Sequence, residues 1–221
     1  MRYDAAAGLY VMDFPSTAAG GFYQYNGNSP NADWWNGDLE SSPGTWLAAA
    51  NVAKPTGPKL KLTYTTIAGY DTSGMSPEPF GWVAFGTATP AGAVPVTGSA
   101  TYGAIVRGSS IDNNYYITGT ATMQFDFGAG TLAGHLDPML NDLGGGSLGL
   151  GRYDFLSTVF GVGSTSFSGQ LQNPSVTGNG TFDGIFTGPG AQELMARWQA
   201  PYVNPVTHQT STMFGVWVGK H

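Results

Sequence analysis

Alternation of apolar and polar residues with a period of two constrains this chain more than any other feature of its sequence. The clearest case is Tyr115–Phe127. Polar residues, mostly threonine, occupy one face of this run, and the other face carries Ile117, Gly119, Ala121, Met123, Phe125 and Phe127. Successive side chains of a strand point to opposite faces of a sheet, so the pattern predicts a strand with one buried face. The turn Gly128–Gly130 and the run Thr131–Leu136 then predict a β-hairpin.

Similar runs recur to the end of the chain and predict eight strands: Val96–Arg107, Tyr115–Phe127, Thr131–Leu136, Tyr153–Phe160, Ser164–Leu171, Thr177–Thr187, Glu193–Trp198 and Thr212–Gly219. Short connections between most of them favour an all-β fold, an eight-stranded antiparallel up-and-down β-barrel that closes on itself. Its inward faces mix glycine and alanine with phenylalanine and methionine, which favours a filled interior. We expect a long loop over Pro138–Gly151 and a corner at Gly188–Gly190, between the sixth and seventh barrel strands.

The N-terminal part of the chain has a different pattern and predicts a smaller β-sheet subdomain. Lys59–Ile67 and Phe80–Gly86 are its predicted strands, whereas residues 15–58 are dense in turn residues and look irregular. A proline-marked linker follows Phe80–Gly86. We therefore divide the chain into residues 1–88, the N-terminal subdomain, and residues 89–221, the barrel.

Charge and composition exclude several classes of function. Only 10% of the residues are charged, the net charge is −6 and no basic cluster occurs, so nucleic acid is not an expected partner. The chain has no cysteine, which excludes thiol catalysis and cysteine-based metal sites. It has neither an apolar run long enough for a transmembrane helix nor a signal-peptide pattern at its start.

Patterns that suggest catalysis lack the context that such chemistry needs. Gly145–Gly149 matches the G-x-S-x-G nucleophile pattern, but its serine requires a strand before it and a helix after it. Asp126, Asp183 and Glu193 offer carboxylates for acid–base work, and nothing in the sequence brings them together. We expect Asp126 and Asp183 to be outward, solvated strand residues, and Glu193 to form a structural hydrogen bond or ion pair. We predict no catalytic residue and a protein that is not an enzyme. A hydrolase built on these carboxylates is the weaker alternative.

Histidine gives no metal-binding pattern. His135 lies on the predicted outer face of a strand, His208 lies in the last long loop and His221 ends the chain, without metal-ligand spacing between any two. Because imidazole binds metals readily, a metal or haem ligand at His135 or His208 stays an alternative to plain surface histidine. We predict no metal site and no cofactor.

Aromatic residues near the N-terminus are the best sequence candidates for a binding surface. They are Tyr23, Tyr25, Trp34 and Trp35, together with Trp46. Adjacent tryptophans cannot both face the same side of a strand. One ring is expected to fill the space between the subdomains, and the other is a candidate anchor for a partner.

Several segments between Phe80 and Gly219 resemble the β-barrel domain of the bacterial transferrin-binding protein B family, in particular its single-lobed solute-binding relatives. Val96–Tyr102 resembles the first barrel strand of the family, with its T-G-x-A-x-Y pattern. Phe125–Gly134 resembles its D-F-G-x-G-T-x-x-G hairpin, Gly180–Leu194 its G-x-F-x-G-x-F-x-G-P-x-A-x-E segment, and Phe214–Gly219 its closing strand. Met195 and Ala196 depart from the family, which usually has glycine there.

The resemblance implies an eight-stranded barrel beside a smaller sheet called a handle, in a bacterial protein outside the cytoplasm, often a surface lipoprotein. It implies a monomeric, non-enzymatic binding protein for uptake of iron, haem or a metal carrier. The partner would be a protein or a small molecule, with an outer-membrane TonB-dependent receptor as an expected companion. The alternative is a carrier that holds haem or an apolar solute between handle and barrel.

Overall fold

A computed structural model describes residues 2–4, 9–12, 20–22, 34–39, 42–50, 62–71, 80–111, 115–142 and 146–221. Across these residues the fold is all-β and contains no helix. Seven strands form an N-terminal sheet: β1 (Arg2–Asp4), β2 (Leu9–Met12), β3 (Gly20–Phe22), β4 (Trp34–Leu39), β5 (Ser42–Ala50), β6 (Thr65–Asp71) and β7 (Phe80–Gly86). They pair in chain order, and every pair is antiparallel.

The second sheet closes into the predicted eight-stranded antiparallel barrel. Its strands are β8 (Ser99–Ser110), β9 (Tyr115–Asp126), β10 (Thr131–Asp142), β12 (Tyr153–Val159), β13 (Ser166–Gln172), β14 (Gly180–Thr187), β15 (Glu193–Val203) and β16 (Thr210–Lys220). Consecutive strands are neighbours, and the pairing of β16 with β8 completes the circle. The short β11 (Ser147–Gly149) adds to one end of β10 outside this circle. The predicted fold class is therefore confirmed.

Aromatic side chains fill the interior of the barrel, as the sequence predicted. Phe186 is fully buried and its ring lies within 6.0 Å, centroid to centroid, of five others, those of Tyr102, Phe125, Phe127, Phe160 and Phe167. Offset and edge-to-face pairs of this kind add to the free energy gained by burying the rings. Trp217 extends the cluster by stacking on Phe155.

Glycines opposite the phenylalanines make this filling possible. Phe167 pairs across the strands with Gly184, and Phe182 pairs with Gly169. A Cβ atom on Gly184 would lie 2.5 Å from Cζ of Phe167, and one on Gly169 would lie 2.6 Å from Cζ of Phe182. Each ring thus packs over the backbone of its partner, which explains the alternation of glycine and phenylalanine in β14.

The expected loop over Pro138–Gly151 is wrong, because β10 continues through Pro138 to Asp142. The carbonyl oxygen of Pro138 accepts a hydrogen bond from Leu150 N at 3.0 Å, on the side away from β9. In a strand, the backbone nitrogen and the carbonyl oxygen of one residue point to the same side. The nitrogen of Pro138 therefore points away from β9, and the hydrogen bonds between β9 and β10 lose no donor at this position. β15 likewise continues past its predicted end at Trp198, through Pro201, whose carbonyl accepts from Tyr153 Oη.

Two predictions for the N-terminal region also need correction. Part of residues 15–58, expected to be irregular, forms β3, β4 and β5. The predicted strand Lys59–Ile67 begins only at Thr65 and runs on to Asp71. Leu62–Tyr64 lies outside the strand, because the amides of Thr63 and Tyr64 bond to a side chain of the barrel. Lys59–Lys61 lies outside the described residues.

Replacement of Phe186 by alanine tests how much the filled interior contributes to stability. We expect Phe186→Ala to lower the free energy of unfolding by about 3–5 kcal/mol, because it opens a cavity among five rings. Val159, which is 66% exposed, supplies the control, since Val159→Ala should change stability by less than ~0.5 kcal/mol. Denaturant unfolding of the two variants measures the difference, and equal stabilities would contradict a packed interior.

Candidate functional site

Glu193, at the start of β15, joins the N-terminal sheet to the barrel. Its side chain is only 3% exposed, and its two carboxylate oxygens accept hydrogen bonds from Thr63 N at 2.5 Å and Tyr64 N at 2.9 Å. A buried carboxylate needs such donors, and charge-assisted bonds are among the stronger ones in proteins. The structure thus shows the structural hydrogen bonds expected of Glu193.

Further contacts fix the sheet against the outer face of the barrel. The hydroxyl oxygens of Thr65 and Thr187 lie 2.5 Å apart, and the indole Nε1 of Trp82 donates to the carbonyl oxygen of Gly108 at 3.0 Å. An apolar cluster joins the two units, with Leu62 and Ile67 on one side and Val216 and Val218 of β16 on the other. The sheet therefore covers part of β15 and β16.

Beside this junction lies an open cleft of about 530 Å³ between β7 and the outer surface of β14, β15 and β16. Such a volume falls within the range of roughly 300–1,000 Å³ that is typical of small-molecule sites. Trp82 contributes to it from the sheet. The barrel contributes the other lining residues: Thr181, Asp183, Arg197, Trp198, Gln199, Phe214, Gly215 and Val216.

Strand pairing places the side chains of the cleft in two parallel rows. Thr181 pairs with Gln199, which pairs with Phe214 on the next strand. Asp183 pairs with Arg197, which pairs with Val216. Directly paired residues project from the same face of a sheet, so each row presents polar groups on β14 and β15 and an apolar side chain on β16. The cleft is therefore polar along one side and apolar along the other.

Asp183 and Arg197 form an ion pair in the polar part of the cleft. Arg197 Nε lies 2.7 Å from Oδ1 and 2.9 Å from Oδ2 of Asp183. This hydrogen bonding, and then the charge of Asp183, raises the pKa of the Arg197 guanidinium. The side chains are 79% and 55% exposed, so the pair contributes little to stability. It fixes the direction of a guanidinium whose two Nη groups make no hydrogen bond to any described residue.

Arg107 of β8 continues the second row beyond Val216, with which it also pairs. It is half-buried, and burial lowers the pKa of its guanidinium. Nη1 donates to the carbonyl oxygen of Val106 at 2.9 Å, and Arg107 forms no ion pair with a carboxylate whose side chain the structure describes. The row from β14 to β8 thus carries two cations and one anion.

The described lining residues include one acid. It is Asp183, and both of its carboxylate oxygens accept hydrogen bonds from Arg197. Haem iron would find no histidine, tyrosine or methionine among the described lining residues. The described part of the cleft offers hydrogen-bond donors and acceptors facing an indole and a phenyl ring, which are the kinds of group that line small-molecule sites.

The predicted aromatic surface lies mostly beyond what the structure describes. Tyr23 and Tyr25 are outside the described residues. Trp34 and Trp35 occupy the first two positions of β4, where their backbones pair with Ala50 and Ala49. The tryptophans among the described lining residues of the cleft are Trp82 and Trp198.

The other sequence candidates each have local roles. Asp126 is exposed, as predicted, and Oδ1 accepts from Ala129 N in the β9–β10 turn. Ser147 begins β11 and donates to Asn141 Oδ1 at 2.8 Å, with no helix after it to complete the nucleophile pattern in the described residues. Nε2 of His135 lies 3.3 Å from Oδ2 of Asp137, and His208 is an exposed turn residue.

Comparison with known proteins adds no assignment. No family model matches the chain, and no curated protein matches it. The resemblance to the transferrin-binding protein B family therefore stays a prediction. No group of three side chains suited to a metal ion occurs within the described residues, and these residues include no helix that would reach across a bilayer.

Sequence reasoning missed the cleft although one of its residues was noticed. Asp183 was correctly expected to be an outward residue of β14, and it is exposed. Arg197 alternates with the buried Ala196 and Trp198, so its outward direction was readable from the period of two. The position of Trp82 over the barrel was not readable, because it depends on how the two sheets pack.

Substitution of Glu193 tests the junction beside which the cleft lies. Glu193→Gln keeps one acceptor oxygen but turns an amide group toward the second backbone N–H. We expect a loss of about 1.5–3 kcal/mol in the free energy of unfolding and faster proteolysis of the N-terminal sheet. Asp154→Asn removes the same charge from an exposed strand position and should leave both measurements unchanged. Identical behaviour of the two variants would contradict the structural role of Glu193.

Proposed function

We propose that this chain is a non-catalytic binding protein that holds a small molecule in the cleft between Trp82 and the outer face of the barrel. The observation that carries the proposal is the cleft itself, which has ligand-sized volume, a polar side and an apolar side. The barrel interior is filled with aromatic rings, so a site on the outside of the barrel suits this fold best. The cleft residues that the structure describes show no arrangement suited to acid–base or nucleophilic catalysis.

The biological setting that we propose is capture of a nutrient outside the cytoplasm, at the cell surface, with delivery to an outer-membrane receptor. The sequence resemblance described above supports it. We also propose that the protein acts as a monomer, as the resemblance implies. The polar side of the cleft favours a small polar solute over haem or a purely apolar molecule.

Protein recognition through the aromatic residues near Trp34 and Trp35 remains a second proposal. It rests on the sequence pattern, and the two tryptophans are consecutive positions of β4 in the N-terminal sheet. The two proposals predict different effects of substitutions in the cleft.

A bulky side chain placed in the cleft tests the leading proposal. Gln199 is an exposed lining residue, so Gln199→Trp should fill the cleft without disturbing the interior. We expect the wild-type protein to bind members of a panel of aromatic carboxylates, phosphates, amino acids and sugars in ligand-observed NMR, and the variant to lose this binding.

The matched control is Gln124→Trp, which adds the same ring at an exposed position of β9, outside the cleft. It should bind the panel as the wild type does, and both variants should keep the wild-type unfolding temperature. Binding that survives in Gln199→Trp would place the ligand elsewhere, and absence of any binding by the wild type would reject small-molecule capture in this cleft.

A further inference from the structure

We propose that the ligand of the cleft is a small organic anion whose carboxylate or phosphate group binds Arg197 in the field of Arg107. The inference rests on the proposed function and assigns the chemical class of its ligand. It follows from three features of the described residues: the charge balance of one row of side chains, the geometry of one guanidinium and the apolar surface beside it.

The charge balance favours an anion. Arg107 and Arg197 both pair with Val216, one on each side, so the two cations project from the same face of the barrel. Asp183 balances one of them, and no described carboxylate balances the other. Among the described side chains, this row therefore carries an excess of one positive charge, which a bound anion would balance.

The scarcity of basic residues makes their placement informative. The chain has eight lysines and arginines in all and a net charge of −6, so its overall field repels anions. Two of its four arginines nevertheless flank the same valine at the edge of this cleft. A site for a neutral solute would need no such excess of positive charge.

The geometry of Arg197 suits a planar or tetrahedral oxyanion. Asp183 occupies only Nε, which holds the plane of the guanidinium and leaves both Nη groups without a described partner. An arginine fork donates two parallel hydrogen bonds to a carboxylate or a phosphate, and lysine cannot reproduce this geometry. Asp183 is therefore a positioning residue, and Arg197 is the group that touches the ligand.

The opposite side of the cleft suits an apolar or ring-shaped body. Trp82, Phe214 and Val216 line it, while Thr181 and Gln199 offer hydrogen bonds along the polar row. A ligand with an anionic end and a ring therefore matches both sides at once. An inorganic anion would match only the arginine, and a sugar would supply no negative charge for the guanidinium of Arg197.

Calorimetric titration of the full chain with three related probes tests the charge requirement. Benzoate carries a carboxylate, phenyl phosphate carries a phosphate, and benzyl alcohol is a neutral molecule of similar shape. We expect at least one of the two anions to bind at least about tenfold more tightly than benzyl alcohol, because hydrogen bonds to a charged group are worth about 1.5–3 kcal/mol. Affinity for the anions should fall as salt is raised.

Arginine variants locate the binding group. We expect Arg197→Lys and Arg197→Ala each to weaken anion binding by about tenfold or more, and Arg107→Gln to weaken it by a few fold. The matched control is Arg152→Ala, since Arg152 also pairs with an aspartate, Asp137, on the exposed barrel surface outside the cleft. It should bind as the wild type does, and unfolding temperatures confirm that all variants are folded.

The outcomes separate this inference from the proposed function. Equal affinity for benzyl alcohol and the anions, or anion binding that Arg197→Ala leaves unchanged while Gln199→Trp abolishes it, would overturn the anion assignment and leave a small-molecule cleft. Binding of inorganic phosphate as tight as that of phenyl phosphate would overturn the part played by the apolar side. Failure of all three probes to bind the wild type would overturn the inference, whereas the wider panel decides the proposed function.

Discussion

The packing of phenylalanine rings over glycine backbone inside the barrel is the constraint on which the other features depend. Phe167 over Gly184 and Phe182 over Gly169 bring large rings into an interior that eight strands leave narrow. The barrel is therefore a filled support rather than a container. In the function that we propose, the ligand therefore binds on the outer surface of the barrel, at its ends or where another unit packs against it.

The N-terminal sheet supplies that second surface. Glu193, Thr187 and Gly108 of the barrel bond to residues of the sheet or of the segment that leads into it, and Val216 and Val218 bury apolar surface against it. Polar bonds of this kind fix the position of the sheet, whereas apolar contacts alone would allow it to slide. The cleft is bounded by this packing, since Trp82 forms one side of it and the barrel forms the rest.

Much of the fold was predictable from sequence because the period of two survives through most of the barrel strands. The eight strands, the filled interior and the corner at Gly188–Gly190 follow from residue patterns that are local. The predictions were wrong where tertiary contacts override a local sequence pattern. Pro138 is accommodated within a strand because its nitrogen points away from the neighbouring β9. Leu62–Tyr64 lies outside the predicted strand because the amides of Thr63 and Tyr64 donate hydrogen bonds to Glu193. The cleft depends on packing between two sheets, which no local pattern contains.

Glu193 and Arg197 lie on the same strand, and this position links docking of the N-terminal sheet on the barrel to binding of the proposed ligand in the cleft. Both belong to β15, four positions apart, and Trp82 faces the cleft from the sheet itself. A ligand held between the two units binds only the docked arrangement, so it stabilises docking by mass action. By the same linkage, a substitution of Glu193 that weakens docking of the sheet lowers the affinity for the ligand, although Glu193 does not contact the ligand. In the proposed function, docking of the two units and binding of the ligand are thus thermodynamically linked, and a measurement of either one reports on the other.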